Sequence, residues 1–492
     1  MSVWVRSRVV LVGVVLAGCA VGPDYRTPEM AVPDRWGEPT AAAPEHATDL
    51  ATWWRAFGDP MLDELVDAAL AQNLTLAESI ARIREARARR VIATSGLFPH
   101  LGTSAEYQYT RPFSENSQFG TFLGASGDAA AAASLFTTDL YQASFDASWE
   151  LDVFGGIRRG IEAADADVAA AEDAARATQV TLLAEVARTY VAVRSLQRRL
   201  AITAENLESQ RTSVELTQSR FDSGLASELD VRQARSLLAT TEAEVPDLER
   251  QREQAVHALS VLLAREPNAL RDRLAPNEPI PGAAGPDALA VRIPMGLPSD
   301  LLRRRPDVRR AERQVAAATA RIGVATAELF PKISLTGFAG LQSISASDFF
   351  TSGSRYFGAG PTISWRVFEG GRLHAAVEAQ EAATQQMLYR YEQTVLTSLR
   401  DVEDALVAYA KERRRRDALA DAVGQNQRSV VLSRDLYVHG LGTYLAVLDA
   451  QRAEYATEDS LVQSDQAVVE ALISTYKALG GGWEPTVEMA RE

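Results

Sequence analysis

Apolar and polar residues alternate at period two in several short stretches of the chain, the signature of strands with one apolar face. Leu101, Thr103, Ala105, Tyr107 and Tyr109 oppose Gly102, Ser104, Glu106, Gln108 and Thr110. Tyr141, Ala143, Phe145, Ala147 and Trp149 oppose Gln142, Ser144, Asp146, Ser148 and Glu150. Phe357, Ala359, Ile363, Trp365 and Val367 oppose Gly358, Gly360, Thr362, Ser364 and Arg366. The pattern predicts four strands, at about 98–112, 140–154, 331–343 and 355–368. Two of them run into glycine pairs, Gly155-Gly156 and Gly370-Gly371. There the period changes to a helical one, and long helices are expected over about 156–222 and 371–439. At 1.5 Å per residue, roughly 70 residues make a rod of about 100 Å. Heptads run along both rods: Val186, Val193, Leu200, Leu207, Val214 and Phe221, then Val402, Tyr409, Arg416, Val423, Val430 and Tyr437. The helix that follows the second rod carries Leu441, Leu448, Tyr455, Val462, Val469 and Tyr476. Sustained heptads imply helices packed as in coiled coils.

The two halves match. Phe98-Pro99 corresponds to Phe330-Pro331, Trp149 to Trp365, and Phe221-Asp222-Ser223-Gly224-Leu225 to Tyr437-Val438-His439-Gly440-Leu441. Each copy reads helix, Phe-Pro, strand, loop, strand, glycine pair, long helix, Gly-Leu turn, helix. The first copy is longer between Phe-Pro and Trp, and the excess falls in the small-residue stretch Phe119 to Ser134, read as a loop insertion. The expected layout is a signal segment at 1–18, an extended arm at 19–50, repeat one at 51–280 and repeat two at 281–492.

Ten-residue strands with a Tyr- and Trp-bordered apolar face suit an outer-membrane barrel with a polar lumen. Four strands cannot close, and an open edge cannot sit in lipid. Several chains must therefore share one barrel. The fold class is mainly α with membrane β: a barrel shared between chains that continues into a long helical barrel.

Composition narrows this further. A formal charge of −14 over 492 residues, without a basic aromatic stripe, argues against nucleic acid as a partner. After the N-terminus there is no apolar run long enough for a membrane helix. Arg6 and Arg8, the apolar Val9 to Ala17 and then Leu16-Ala17-Gly18-Cys19 follow the order of a secretory signal. The Leu-Ala-Gly-Cys stretch resembles the lipobox of bacterial lipoproteins. That implies cleavage before Cys19, the chain's one cysteine, and its acylation with palmitate-type chains. Ala20 and Val21 follow, with no inner-membrane retention aspartate, which favours the outer membrane. The proline-rich arm to about Leu50 cannot be regular helix. Asp59 and Pro60 read as the N-cap and first position of a helix.

Taken together, these features resemble the TolC-like outer-membrane efflux channels, and among them the OprM- and NodT-type lipoproteins of resistance-nodulation-division systems. The residues that carry the likeness are the lipobox, Val21-Gly22-Pro23-Asp24-Tyr25, both Phe-Pro strands, both glycine junctions, the run from Leu301 to Glu312, and Tyr444 to Gln451. The resemblance implies a homotrimer with a 12-stranded barrel, a tunnel of twelve helical struts and a mixed equatorial belt. Residues near Trp53 to Asn73, about Arg265 to Arg305 and from Ala478 onward are expected in that belt. It implies as partners a periplasmic adaptor, an inner-membrane resistance-nodulation-division transporter and outer-membrane lipid. It also implies sites. Gly224, Leu225, Ser227, Gly440, Leu441 and Thr443 would form periplasmic tips that dock the adaptor. Leu445 and Asp449, four apart on one helix face, would form the periplasmic gate, where leucines close by dewetting and aspartates select by charge. The first copy has Leu229 and Gln233 there, so an acid ring of three copies would hold three carboxylates. Gly155, Gly156, Gly370 and Gly371 mark the strand-to-helix junctions. Arg303 to Arg305 reads as a solvated helix start, and Arg416, which breaks its heptad, as facing the belt.

Nothing in the sequence suggests an enzyme, a cofactor or a metal. The histidines His46, His100, His257, His374 and His439 make no ligand pair, and no Walker loop or Gly-x-Ser-x-Gly occurs. The expected function is a passive, gated exit duct for small molecules in a tripartite pump, hence a contributor to drug resistance. A channel for an ABC-driven type I secretion system, and a coiled-coil envelope lipoprotein without a pore, are the alternatives.

Overall fold

The structure, a computed structural model, describes residues 20–37, 49–110, 138–282 and 298–484. Cys19, the signal segment, the Phe119 to Ser134 insertion, the belt stretch 283–297 and the chain beyond Glu484 lie outside the described residues. A 3-10 turn at Leu50–Phe57 opens the folded part. Then come α1 (Pro60–Gln72), α2 (Leu74–Ser95), β1 (His100–Thr110), β2 (Thr138–Leu151), α3 (Gly156–Asp222) and α4 (Glu228–Leu262). The second half gives α5 (Pro298–Arg304), α6 (Pro306–Ala327), β3 (Lys332–Ser343), β4 (Arg355–Ser364), α7 (Arg372–Val438) and α8 (Tyr444–Ala478). Both long helices are unbroken and 67 residues long. Among the described residues no helix is long and apolar enough to cross a membrane.

The chain forms two compact units, and each is discontinuous. One comprises Met1–Thr27, Glu85–Val168 and Arg313–Leu388; the other comprises Pro28–Arg84, Ala169–Glu312 and Tyr389–Glu492. The compact units therefore do not coincide with the two sequence repeats, because each repeat contributes helix to both.

The first unit holds the sheet, in the order β1-β2-β3-β4 and antiparallel throughout. The register aligns the faces expected for β1, β2 and β4, and brings Ile333 and Ala339 of β3 onto the apolar one. Leu101 lies opposite Ala147, Phe145 opposite Ala339, Ala339 opposite Phe357, and Ile333 opposite Ile363. This apolar face is open to the surroundings; Phe357 is 86% exposed. The other face carries Ser104, Glu106, Gln142, Ser144 and Thr362. It also carries Phe338 and Tyr356, whose rings lie 5.3 Å apart. β4 stops at Ser364, short of the expected 368. Its partner there is Lys332, and the residue before Lys332 is Pro331, which has no N–H to continue the ladder.

The second unit is built on the core. Trp53, Trp54, Phe57, Leu62 and Leu65 join α3 residues Leu183, Val186, Tyr190 and Val193, α4 residues Val256 and Leu259, and α8 residues Val469, Leu472 and Tyr476 in one buried cluster. Trp53 stacks on Tyr476 at 5.3 Å. Leu270, Leu274, Ile280, Leu301 and Leu479 belong to the same cluster, so all three expected belt segments pack together on the long helices. Polar bonds fix them further: Tyr190 donates to Asp59 (2.7 Å), Arg194 to the Pro276 carbonyl (2.7 Å) and Gln197 to the Leu274 carbonyl (2.5 Å). Asp59 also accepts from the Met61 and Leu62 amides, the expected N-cap.

One arginine expectation changes. Arg305 is not solvated. It is 8% exposed and donates to Asp307 (3.0 and 2.7 Å), Asp401 (3.3 Å) and the Ala478 carbonyl (3.0 Å). The cause is its place between the end of α8 and the start of α6, where a guanidinium can serve both. Arg416 pairs with Asp465 of α8, at 3.0 Å. An arginine at a heptad seam is accommodated there because the facing helix supplies a carboxylate.

Candidate functional site

The strand-to-helix junctions are built twice from the same parts. Gly155 has φ +78, and Gly370 and Gly371 have φ +57 and +87, a region open to glycine at little cost. The tryptophan before each glycine pair ties the end of its strand to the turn that precedes Phe-Pro. Trp149 Nε1 donates to the Leu97 carbonyl (2.9 Å) and Trp365 Nε1 to the Leu329 carbonyl (3.0 Å). At the first junction the Asp152 carboxylate accepts from the Ile157 and Arg158 amides, capping α3. At the second, Glu369 takes an ion pair from Arg372.

The turns also come in two copies. Gly224 and Gly440 both have φ +76. At the first, the Leu225 amide donates to the Arg220 carbonyl and the Gly224 amide to the Phe221 carbonyl. At the second, Leu441 donates to Leu436 and Gly440 to Tyr437. Both are Schellman ends, in which a left-handed residue lets the last carbonyls be satisfied. Leu225 and Leu441 are left exposed, Leu441 at 77%. The following helix starts differ. Ser227 makes a full capping box with Asp230, whereas Thr443 caps with no side-chain bond. The second turn is held instead by aromatic packing. Tyr437 and Tyr444 are buried and meet edge-on at 5.5 Å, and the Arg220 guanidinium lies 4.8 Å over the Tyr437 ring while donating to the Val438 carbonyl at 2.8 Å. Burial pushes the Tyr444 hydroxyl up to about 12.

Beyond this turn α8 has two faces. Tyr444, Val447, Leu448 and Gln451 are buried, and Gln451 donates to Ser213 of α3 at 3.0 Å. Leu445 and Asp449 lie on the opposite face, both exposed, Leu445 at 51%. In the first copy Leu229 is exposed and Gln233 half-buried.

The outer membrane efflux protein family model matches residues 65–265 and again 297–481, once per repeat. The chain belongs to the outer membrane efflux protein family. It is 33% identical over 475 residues to the outer membrane protein OprJ of Pseudomonas aeruginosa, covering 96% of this chain and 95% of that one. It is 34% identical over 475 residues to the solvent efflux pump outer membrane protein SrpC of Pseudomonas putida, covering 95% and 96%. The solved outer-membrane channel OprN superposes with a TM-score of 0.85 at 35% identity, over 95% of this chain and 100% of that one. The chain is accordingly an outer-membrane component of an efflux pump, with the channel fold of its relatives.

For this efflux protein the sequence reading overlooked several residues. Arg452 is exposed and three positions beyond Asp449, so it shares the face of Leu445 and Asp449; the i, i+3 spacing was there to be read. Arg220 couples the ends of α3 and α7, a contact no local pattern announces. Arg159 at the first junction is buried, and only its neighbours in space reveal why.

Proposed function

We propose that three copies of the chain close one 12-stranded barrel above one helical tunnel, as the lipid-anchored exit duct of a tripartite pump. The observation that carries this is the open sheet. Within the chain, among the described residues, the outer edges of β1 and β4 have no partner strand, while the apolar face beside them is exposed. Hydrocarbon supplies no hydrogen bonds, so those edges need the edges of other copies. The number three is supported by the resemblance to TolC-like channels. Cys19 carries the acyl chains. The turns Gly224-Leu225-Ala226-Ser227 and Gly440-Leu441-Gly442-Thr443 dock a periplasmic adaptor, and an inner-membrane resistance-nodulation-division transporter supplies the driving force. The cargo is small molecules.

Leu445 and Asp449 form the periplasmic gate. Their exposure on one face of α8, with the opposite face buried on α3, supports this reading, since the gate face must be free to converge on an axis. Planar-bilayer conductance tests it. The wild type should conduct poorly, and Leu445→Ala or Asp449→Ala should conduct more. Equal conductance in all three would remove the gate from these residues. Mass spectrometry of the detergent-extracted complex should return a trimer, and a monomer would end the shared-barrel reading.

A further inference from the structure

The stretch just after Cys19 is seated in a cleft made for it. The Val21 amide donates to the Phe154 carbonyl at 3.1 Å. Arg159, 5% exposed, spends nearly all its donors here: Nε to the Val21 carbonyl (3.1 Å), Nη2 to the Gly22 carbonyl (3.4 Å) and the Asp24 carboxylate (2.7 Å), and Nη1 to Glu162 (2.8 Å). The cleft has no room to spare. Gly22, at φ +89, lies so close to α6 that a Cβ on it would come within 2.5 Å of the Gly323 Cα. A Cβ on Gly323 would meet Arg159 Cγ at 2.7 Å and the Val21 carbonyl oxygen at 2.9 Å. A Cβ on Gly155 would lie 2.6 Å from the Ala20 Cα. Three glycines from three segments thus leave a slot one backbone wide, and a buried guanidinium reads the two carbonyls and one carboxylate laid in it.

An ordinary tether does not need this. Burying an arginine for the sake of an extended segment is costly unless its donors are all used, and here the segment uses most of them. We infer that Arg159 is a positioning residue that locks Ala20–Asp24 against the first strand-to-helix junction, so that the acyl chains on the preceding residue enter the bilayer at the rim of the barrel instead of on a loose arm. The inference rests on the reading of Cys19 as the acylated residue, and goes beyond it by assigning the anchor a fixed place. An arginine suits this better than a lysine, because one planar fork reaches several acceptors at once.

Hydrogen exchange of the acylated protein in detergent, read by mass spectrometry together with the mass of the N-terminal peptide, tests it. In the wild type the Val21 amide should be protected. Arg159→Ala should raise its exchange about a hundredfold, the scale of losing charge-assisted bonds, and Arg159→Lys should fall between. Exchange within α6 around Val315 should not change, which separates release of the arm from general loosening. Gly22→Ala, a change on the arm itself, should release it in the same way and serves if Arg159→Ala does not fold. Unchanged protection of Val21 in Gly22→Ala and in whichever arginine variant folds would overturn the lock. An N-terminal peptide without acyl mass would instead overturn the lipid reading on which the inference stands, whatever the exchange shows.

Discussion

The same joint is made twice, with different chemistry. Asn73 ends α1, caps α2 by accepting from the Leu76 amide (2.9 Å), and donates to the Leu262 carbonyl at the end of α4 (2.8 Å). Arg305 precedes α6 and donates to the Ala478 carbonyl at the end of α8 (3.0 Å). The pairs are repeat equivalents. Asn73 and Arg305 are separated by the same 232 positions as Phe98 and Phe330, and Leu262 and Ala478 by the same 216 as Trp149 and Trp365. Each joint satisfies a helix end that would otherwise be buried without partners. The first does so with a neutral amide and a handful of atoms. The second uses a buried charge and therefore needs Asp307 and Asp401 beside it. Duplication preserved the bond and not the residue, and the change of residue made one joint sensitive to charge.

That difference can be broken by mutation. Arg305→Ala should cost most, about 2–4 kcal/mol, because it leaves the half-buried Asp307 carboxylate and the Ala478 carbonyl without their guanidinium; thermal unfolding of the detergent-solubilised protein measures it. Acid should act on the same joint. Burial alone would raise the Asp307 carboxyl, but the hydrogen bond and charge of Arg305 outweigh it and hold the group below its usual value. A carboxyl depressed in the folded state gives stability that is present above its unfolded value and lost as pH falls through the folded one. The wild type should therefore lose stability below about pH 4, and Arg305→Met should flatten that part of the profile. Asn73→Ala should cost about 1–2 kcal/mol, a cap and one buried bond, with no change in acid sensitivity. An acid profile altered equally by both variants would contradict the contrast between the joints.

The two turns provide the smallest test of the same asymmetry. Ser227→Ala removes a capping box and should cost about 1 kcal/mol. Thr443→Ala removes no side-chain bond and should cost only a few tenths of that cap. Local hydrogen exchange at the start of α4 and of α8 distinguishes them; equal effects would mean the capping difference has no energetic content.

Much of this was legible from one sequence because the signals are periodic and local. Period-two alternation gave four strands and the faces of three of them, since a residue's side of a sheet depends only on its parity. The heptads of Val186 to Leu207 and of Leu448 to Tyr476 gave the helix seams. Glycine at Gly224 and Gly440 announced helix ends, and the matching halves announced that every device would appear twice. What stayed hidden was set by contacts distant in sequence. Arg305 looks like one solvated cation in a run of three, and only the arrival of Ala478, Asp307 and Asp401 in one place turns it into a buried joint. Arg416 looks like a fault in a heptad until Asp465 is beside it. Arg159 looks like a helix-start charge until the chain before it folds back to fill its donors. The repeat and the alternation belong to the sequence, because steric period and parity act between near neighbours. Which charges are buried, and against what, belongs to the tertiary structure, because desolvation and pairing depend on groups that the chain brings together only when it folds.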